Sequence, residues 1–533
     1  MTMKKIILSI ILPALVLLAA LPAAAAPKAE AQFDKLVKTY TLNPDGSQEV
    51  RVIKQLTLYT HAAMNSLYGE TFIVYDPAYQ QLTINDSYTR QTDGSIVRTP
   101  DNAFVEVLPS AAADAPAYNG LKEMVVVHTG LELGATIYLD YTIVTKAGAL
   151  PALDIFEPLE ELSPIRNYEL SISVPDGTPL HYELLNGKAA PKVSVADGMR
   201  KVAWTLKNVK PRPRYLPVSV QAGSLQAVAA TTFDSREAVL NVLSSQAYSP
   251  DDEAVKALLA SFDEGVADRR SVLDKINDYI TSGLGQSRLT LAQTGYRVRP
   301  AADVIGSAYA TSAERALLAD ALVRAAGQQS DVSLAFPLTE DEAAAGLSSL
   351  MAISSSPVCS DRSFQSYVSI GDYVSLCNLD GSKVEAGGID ARLELVNTLS
   401  ISAGDGKALG GGCYSFSFPE GDSQWLRQVY ASTTANTTRS VNLLLPYLPE
   451  ETLTYVLDNE DGMAPVALPE DRTVSNSVGT VSLRTEQKDG NTVLTLSLKL
   501  GTQLIAPGLY PQYYQLMSEW YTLCATPLIF SAE

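Results

Sequence analysis

The chain has 533 residues, of which 46% are hydrophobic and 19% are charged, a balance typical of folded globular proteins and not of disordered chains. Its formal net charge of -19 disfavours contact with a phosphate backbone, so we expect no nucleic-acid partner. At about 150 residues per domain, this length predicts roughly three domains.

The N-terminus has the order of a secretory signal peptide. Lys4 and Lys5 precede an apolar run over residues 6–20, and small residues follow at 23–26. We therefore predict cleavage between Ala24 and Pro27 and export to the periplasm or the extracellular space, with residues 1–26 removed. A membrane anchor is the alternative interpretation. No cysteine follows the run to accept a lipid, and no later run is long enough to predict a transmembrane segment in the mature chain.

Residues 30–235 predict an antiparallel β-sandwich. Apolar and polar residues alternate along segments 50–58, 137–143 and 168–174, the pattern of half-buried strands. Pro-Asp-Gly or Thr-Asp-Gly turn signals separate these segments. His128 lies in one strand-like run, where a lone histidine is usually structural.

The pattern changes near residue 236. Residues 236–400 predict an α+β domain with helices at 236–246, after 249–252, at 266–280 and at 311–326, followed by a strand at 367–376. Residues 401–533 predict a β-rich domain that ends in a helix. Its expected elements are strands at 441–445, 453–457, 478–484 and 492–500, a hairpin turn at 488–491, a helix at 510–524 and a strand at 528–530. The predicted fold class is multi-domain α+β.

Two segments resemble the core of bacterial transglutaminase-like proteins, a branch of the papain-like cysteine-enzyme fold. They read TGYRVRPAADVI at 294–305 and AERALLADALVRAAG at 313–327. Segments 43–47 and 130–134 resemble pieces of the domain of unknown function that precedes such domains in envelope proteins. The helix at 510–524 is similar to the end of the same proteins.

The resemblance implies a catalytic cysteine, histidine and aspartate, but this chain keeps only the last. The matching positions are Ser312, Ser366 and Asp380, and no histidine occurs after residue 181. A serine hydroxyl needs a base to act as a nucleophile. Residues 311–314 instead have the pattern of a helix capping box. We therefore expect no catalytic residues, and the central domain is predicted to be degenerate.

The former catalytic groove is the expected binding site. The helix N-terminus at Ser312 retains free N–H groups that suit a carbonyl or carboxylate. Tyr309, Tyr367 and Asp380 are predicted to line the same groove, with Asp380 accepting from Ser366 or from a ligand. The alternative is that the loop at 338–362 fills the groove.

The four cysteines all lie in the C-terminal third. Cys359 and Cys377 flank one loop and are expected to form a disulfide, which leaves Cys413 and Cys524 for a second pair or free. We expect no metal, because the chain has no C-x-x-C pair and its three histidines precede residue 182. No cofactor is expected either.

Two functions from different classes remain open. The first is an exported non-catalytic transglutaminase-like protein that binds or scaffolds an envelope protein, peptide or glycan. The alternative is an envelope hydrolase or acyl-transfer enzyme with a non-standard active site. Acidic residues at 251–252 and 340–342 are candidates for such a site, although they have the pattern of helix starts or solvated surface.

Overall fold

A computed structural model describes residues 29–212, 225–262, 271–358, 364, 367–368, 370–384, 392–439, 442–459, 462–488 and 490–532. The chain is a multi-domain mixed protein with a sheet-rich N-terminal region, a central region of helices and a small sheet, and a β-rich C-terminal region. Across the described ranges, no helix is both long enough and apolar enough to span a membrane.

The N-terminal region consists mainly of strands, as the alternating pattern predicts, with short helical turns between some of them. Its strands are β1 (Ala31–Leu42), β2 (Gln48–Leu58), β3 (Glu70–Tyr75), β4 (Gln80–Arg90), β5 (Ile96–Arg98), β6 (Phe104–Val107), β7 (Lys122–Val127), β8 (Thr136–Thr145), β9 (Asp154–Pro158), β10 (Ile165–Pro175), β11 (His181–Leu185), β12 (Lys192–Ala196), β13 (Met199–Val209) and β14 (Ala227–Thr231).

These strands form one large and two small sheets. The large sheet has the order β12-β13-β10-β1-β2-β8-β4-β5, and the small sheets have the orders β11-β14-β9 and β3-β7-β6. Both small sheets pack on one face of the large sheet, which supplies Leu36, Val52 and Leu139 to the shared cores. The pairing is antiparallel except between β1 and β10, which run parallel. The sequence predicted a purely antiparallel sandwich, whereas the large sheet is mixed because it contains this parallel pair.

The described part of the central region contains five complete α-helices and five short strands. They are α1 (Arg236–Ser244), α2 (Glu253–Ser261), α3 (Val272–Asp278), β15 (Gly285–Gln286), α4 (Ala301–Ser307), β16 (Tyr309–Ala310), α5 (Ser312–Ala325), β17 (Asp331–Pro337), β18 (Ala352–Ser356) and β19 (Val374–Asn378). β17 pairs antiparallel with both β18 and β19. Helix α5 packs against this sheet, and most of its residues belong to the main core of the region.

Side-chain caps explain where these helices begin. Asp252 accepts the amide hydrogens of Ala254 and Val255 at the start of α2, within the predicted 249–252 signal. α3 begins at Val272, because Ser271 forms a capping box with Asp274. The predicted helix at 266–280 is therefore shorter at its N-terminal end, and residues 266–270 lie outside the described part.

One predicted strand is wrong. Residues 367–376 were expected to be extended, but Phe364, Tyr367 and Val368 are helical and the strand begins only at Val374. The buried residues Phe364, Tyr367 and Ile370 recur every three positions and pack in one small core, which is a helical period. The mixture of tyrosine, valine and isoleucine in this segment favours a strand by composition alone.

The C-terminal region is rich in strands. It contains β20 (Arg392–Ile401), β21 (Lys407–Gly410), β22 (Cys413–Phe416), α6 (Ala431–Thr434), β23 (Leu443–Leu444), β24 (Glu450–Asn459), β25 (Met463–Ala467), β26 (Arg472–Ser475), β27 (Gly479–Lys488), β28 (Asn491–Leu500), β29 (Leu504–Ile505), α7 (Tyr510–Ala525) and β30 (Leu528–Ala532).

The predicted hairpin and final helix are confirmed. Lys488 pairs with Asn491 where β27 turns into β28, and α7 packs on the sheet with Tyr513 and Trp520 fully buried. β20 crosses the boundary expected at residue 400 and pairs in parallel with β24. Residues 392–400 therefore belong to the C-terminal sheet.

Candidate functional site

Helix α5 begins at the position where the resemblance places a nucleophile. Thr311 is the N-cap: its hydroxyl accepts the amide hydrogen of Glu314 at 3.3 Å, and its own amide donates to the Glu314 carboxylate at 2.7 Å. The capping box predicted from the sequence is confirmed. Ser312 is the first helical residue, and it is exposed.

The first turn of α5 opens into a cavity of about 420 Å³. Thr311, Ser312 and Ala313 line one side of it, and residues 286–292, 347–348 and 350–353 form the rest of the wall. No residue of the described part accepts the amide hydrogens of Ser312 and Ala313. Two backbone donors at the positive end of a helix therefore face an open volume, an arrangement that suits a carbonyl or carboxylate oxygen.

A buried ion pair supports the helix start. The guanidinium of Arg299 donates to both carboxylate oxygens of Glu314, from Nε to Oε1 at 2.8 Å and from Nη2 to Oε2 at 2.9 Å. Glu314 is fully buried. Burial alone would raise the pKa of Glu314, but hydrogen bonds from Arg299 and from the Thr311 amide outweigh burial and hold this pKa below its ordinary value.

Two tyrosines frame this ion pair and join it to the N-terminal sandwich. The Arg299 guanidinium lies 4.2 Å from the ring centre of Tyr309 and 5.6 Å from that of Tyr118. The Tyr118 hydroxyl donates to Glu314 at 3.2 Å, and the Tyr309 hydroxyl accepts the amide hydrogen of Ala117 at 2.8 Å. The start of α5 is therefore fixed by contacts from both regions.

A second carboxylate supports the opposite wall of the cavity. Asp154, at the start of β9, accepts from the amide of Ser348 at 2.9 Å and from its hydroxyl at 2.8 Å. Burial raises the pKa of Asp154 to about 6, although these hydrogen bonds act in the other direction. Gly346 lies directly against this carboxylate, where an added Cβ would be 2.0 Å from Oδ1.

No histidine lines the described cavity wall. His61 is exposed, and His128 hydrogen-bonds to Thr71 inside the sandwich. His181 interacts with Asp341 at 2.7 Å, away from the residues that line the cavity. Ser312 therefore has no imidazole beside it in the described part of the chain.

The predicted groove residues do not come together. Ser312 lines the cavity, but Tyr309 points to Arg299 and the N-terminal sandwich. Tyr367 is 1% exposed and packs in a separate small core with Phe364 and Ile370. The sequence-based placement of Tyr309 and Tyr367 in one groove is wrong, because each side chain fills a different buried contact. Ser366 lies outside the described residues.

Asp380 does not lie in the groove at Ser312, where the sequence predicted it. It lines a smaller hollow of about 260 Å³ together with Asp320 and Arg324. Asp320 lies two turns beyond Ser312 on α5, about 12 Å along the helix axis. The Asp380 carboxylate accepts from the amide of Ser382 at 2.9 Å and from its hydroxyl at 2.6 Å, within its own turn. It therefore belongs to a turn and not to the site at Ser312.

The cysteines also differ from prediction. Cys377 is a free thiol, which contradicts its expected disulfide with Cys359; the latter lies outside the described residues. Cys377 packs against the main core of the central region, and burial raises the pKa of its thiol. Cys413 and Cys524 are also free. Among the described residues, no group of three or more His, Cys, Asp or Glu side chains is placed to bind a metal.

Sequence reasoning missed the side chains that support the cavity. Arg299 and Glu314 both lie in the two segments that carry the family resemblance, yet nothing in their spacing indicates that they pair. Asp154 and Ser348 are 194 positions apart, so only the fold brings them together.

Comparison with known proteins places the chain in a family. Residues 44–213 match DUF3857, a domain of unknown function with a solved structure, and residues 422–530 match DUF3858, which has the same description. A crystal structure of a "putative protease" from Parabacteroides distasonis is 36% identical, with 94% of this chain and 99% of that chain covered and a TM-score of 0.78.

Two M1 zinc metallopeptidase structures from Deinococcus radiodurans are more distant. One is 12% identical and covers 38% of this chain and 42% of its own, and the other is 11% identical and covers 39% and 44%; both have a TM-score of 0.19. These values are too low to imply a shared fold. No curated protein matches the chain. The chain belongs to the family of the Parabacteroides distasonis protein, and in it DUF3857 and DUF3858 regions flank the central helices.

Proposed function

We propose that this protein is an exported, non-catalytic transglutaminase-like protein that binds an acyl or carboxylate group of a cell-envelope peptide or glycan in the cavity above Ser312. The observation that carries the proposal is the pair of unpartnered amide hydrogens, from Ser312 and Ala313, that faces this cavity. Such donors bind an oxygen without any catalytic group.

The transglutaminase-like part of the proposal has two supports. DUF3857 and DUF3858 domains are commonly associated with transglutaminase-like proteins, and here they flank the central region. In addition, α5 begins at Ser312, the position where the resemblance places the nucleophile at the start of a helix.

The non-catalytic part rests on the chemistry of the cavity wall. Acyl transfer needs a nucleophile and a group that takes its proton. The wall offers the Ser312 hydroxyl, but the three histidines of the chain are engaged or exposed elsewhere. The nearest supporting carboxylates, Glu314 and Asp154, are occupied by Arg299 and Ser348.

The alternative function is a hydrolase or acyl-transfer enzyme with a non-standard active site. It is favoured by the name given to the Parabacteroides distasonis relative, a "putative protease". In that case the same two amide donors would act as an oxyanion hole for a developing negative charge.

Turnover and binding assays on the full-length mature protein separate the two functions. For a binding protein, acylated peptides and envelope glycan fragments bind the wild type, while amide and ester substrates are not turned over. Substitution Ser312→Pro removes one of the two amide donors at the first helical position, which tolerates proline, and it should weaken binding more than Ser312→Ala, which removes only the hydroxyl. Turnover of an amide substrate that is lost in Ser312→Ala would overturn the proposal and support the enzyme.

Export is part of the same proposal, and its test is separate. We expect N-terminal sequencing of protein isolated from its native cell to begin between residues 25 and 27. An intact Met1 would contradict export by signal cleavage without bearing on the cavity.

A further inference from the structure

Two lysines lie on the core-facing side of the large N-terminal sheet. Lys38 on β1 is paired across the strands with Val52, and Lys54 on β2 is paired with Leu36. Val52 and Leu36 are both buried in the sandwich core. Charged side chains on such a face are costly unless they are paired, so their presence needs a specific reason.

The charge of Lys38 is paired with carboxylates of the protein. Its ammonium donates to Glu157 at 2.5 Å and lies 3.8 Å from a carboxylate oxygen of Glu161. The hydroxyls of Tyr40 and Tyr168 donate to the same Glu157 carboxylate, at 2.6 and 3.3 Å. This ion pair is therefore complete without a ligand.

The charge of Lys54 has no such carboxylate partner in the described part of the chain. Its ammonium donates to the Thr71 hydroxyl, and no carboxylate of the described residues lies within 4.0 Å of it. Two of its three N–H groups therefore have no protein acceptor in the described part. The hydroxyl of Tyr141, which lies on the same face of the sheet, also makes no hydrogen bond there.

Lys54 lies in a gap between the two small sheets, which we call the seam; Lys54, Thr71, Tyr141 and Glu157 border it. Thr71 belongs to β3, an edge strand of one small sheet, and Glu157 belongs to β9, an edge strand of the other. Both small sheets cover the large sheet, so the two lysines lie below the gap between them. Lys54 and Tyr141 are half-buried, and the Glu161 side chain is 32% exposed, so solvent reaches this gap.

The deep wall of the seam holds one more unsatisfied group. His128 is 5% exposed, and its Nε2 interacts with Thr71 at 2.8 Å while its Nδ1 has no hydrogen-bond partner. Most buried polar groups are paired in folded proteins, and exceptions need an explanation. Lys54, Tyr141 and His128 together leave several donors without an acceptor in one place.

We propose that this seam is a binding site for a carboxylate carried by a small molecule or by a peptide chain end. One carboxylate oxygen accepts from the free N–H groups of Lys54, and the other accepts from the Tyr141 hydroxyl. Lys54 offers a single positive charge, and Glu157 and Glu161 oppose a doubly charged phosphate, so a monoanion is the matching ligand. This site is separate from the cavity at Ser312.

The ionisation of Lys54 agrees with a site for an anion. Burial lowers the pKa of Lys54 to about 8, an effect that Glu161 opposes and Lys38 reinforces. The other titratable groups that face the seam are Tyr40, Tyr141, Glu157 and His128. Since the ligand pairs with the ammonium form, binding should weaken as the pH rises through about 8.

Calorimetric titration of the full mature chain with N-acetylglycine tests the proposal, with N-acetylglycinamide as the neutral analogue and inorganic phosphate as the second anion. We expect N-acetylglycine to bind at pH 7 and the amide not to bind. Substitution Lys54→Met should weaken binding by about tenfold or more, and Tyr141→Phe should weaken it by a smaller factor. Lys35→Met, on the exposed side of β1 where Lys35 pairs with Glu169, is the matched control and should bind like the wild type.

Three results would overturn the proposal: equal binding of the acid and the amide, unchanged affinity in both the Lys54→Met and Tyr141→Phe variants, or no heat of binding for N-acetylglycine at any concentration. Tyr141→Phe removes a single hydroxyl, so it keeps the test decisive if Lys54→Met does not fold. Tighter binding of phosphate than of N-acetylglycine would also contradict the assignment of a monoanion.

Discussion

Arg299 and Glu314 form a two-point ion pair beneath the start of α5, with Nε–Oε1 and Nη2–Oε2 distances of 2.8 and 2.9 Å. The Glu314 carboxylate of this pair also accepts hydrogen bonds from the Thr311 amide, within the capping box, and from the hydroxyl of Tyr118 in the N-terminal sandwich. It therefore holds the cavity wall, the helix start and the junction between two regions in one arrangement.

Breaking this ion pair should destabilise the central region. In Glu314→Gln the buried guanidinium of Arg299 loses its counter-charge. We expect this to destabilise the central region by about 3 kcal/mol, which raises the equilibrium constant for its local opening roughly a hundredfold. Trp204, Trp425 and Trp520 lie outside this region, so hydrogen exchange in peptides from α5 is a more direct measurement than tryptophan fluorescence. The exposed pair Arg98–Asp86 is the control, and Asp86→Asn should change stability by less than about 1 kcal/mol.

The same carboxylate predicts an acid-sensitive start of α5. The pKa of Glu314 is lower in the folded protein than its ordinary value, so its contribution to stability is present above that ordinary value. This contribution is lost as the pH falls through the folded pKa. The protection of α5 amides against hydrogen exchange, taken relative to their intrinsic exchange rate at each pH, should therefore fall in acid for the wild type, and Glu314→Gln should remove most of this dependence. An equal acid response in both proteins would contradict the assignment.

Removing the charge of Lys54 should stabilise the protein. Its pKa of about 8 lies below the ordinary lysine value, so the folded state binds the proton less well than the unfolded state. Stability should consequently rise with pH from about 8 to 10.5, and Lys54→Met should be more stable than the wild type at pH 7 by about 1 to 3 kcal/mol. Lys38→Met, which strands Glu157, should be destabilised. Thermal unfolding of the two variants measures the contrast, and a loss of stability in both would indicate a purely structural Lys54.

The thiol pKa of a cysteine introduced at position 312 should measure the electrostatic effect of the N-terminal end of α5. In Ser312→Cys the positive end of α5 should lower the thiol pKa by about one unit, whereas Ser245→Cys, at the C-terminal end of α1, should have a raised pKa. Alkylation rates against pH, read by peptide mass mapping, measure both. Burial raises the pKa of Cys377 and raises that of Cys524 to about 12, so these native thiols should react slowly. Equal rates at positions 312 and 245 would show that α5 exerts no such effect.

The wall of the cavity should be sensitive to one methyl group. In Gly346→Ala the new Cβ would lie 2.0 Å from the Asp154 carboxylate, so the segment must move and stability should fall by about 1 to 3 kcal/mol. Gly306, in α4, has nothing within 4 Å of such a Cβ, and Gly306→Ala should gain about 0.5 to 1 kcal/mol. Thermal unfolding should show opposite signs for the two variants.

Several elements could be predicted because their sequence signals are local. Period-two alternation specifies β2 and β10, because successive side chains of a strand point to opposite faces. The hydroxyl of Thr311 and the carboxylate of Glu314 specify the start of α5, since both act within one turn. The hairpin between β27 and β28 and the amphipathic helix α7 were predictable for the same reason.

Which side chains meet could not be predicted, because it depends on the packing of distant segments. Asp380 bonds within its own turn, Tyr309 lies on Arg299, and Asp154 reaches Ser348 across 194 positions of the chain. Phe364, Tyr367 and Ile370 pack in one core at a spacing of three residues, although their residue types favour a strand. The lack of a carboxylate partner for Lys54 in the described part of the chain could not be predicted either, since it depends on the gap that the two small sheets leave above this lysine. Long-range pairing depends on how sheets and helices pack, and that information is spread over the whole chain and not held in any one segment.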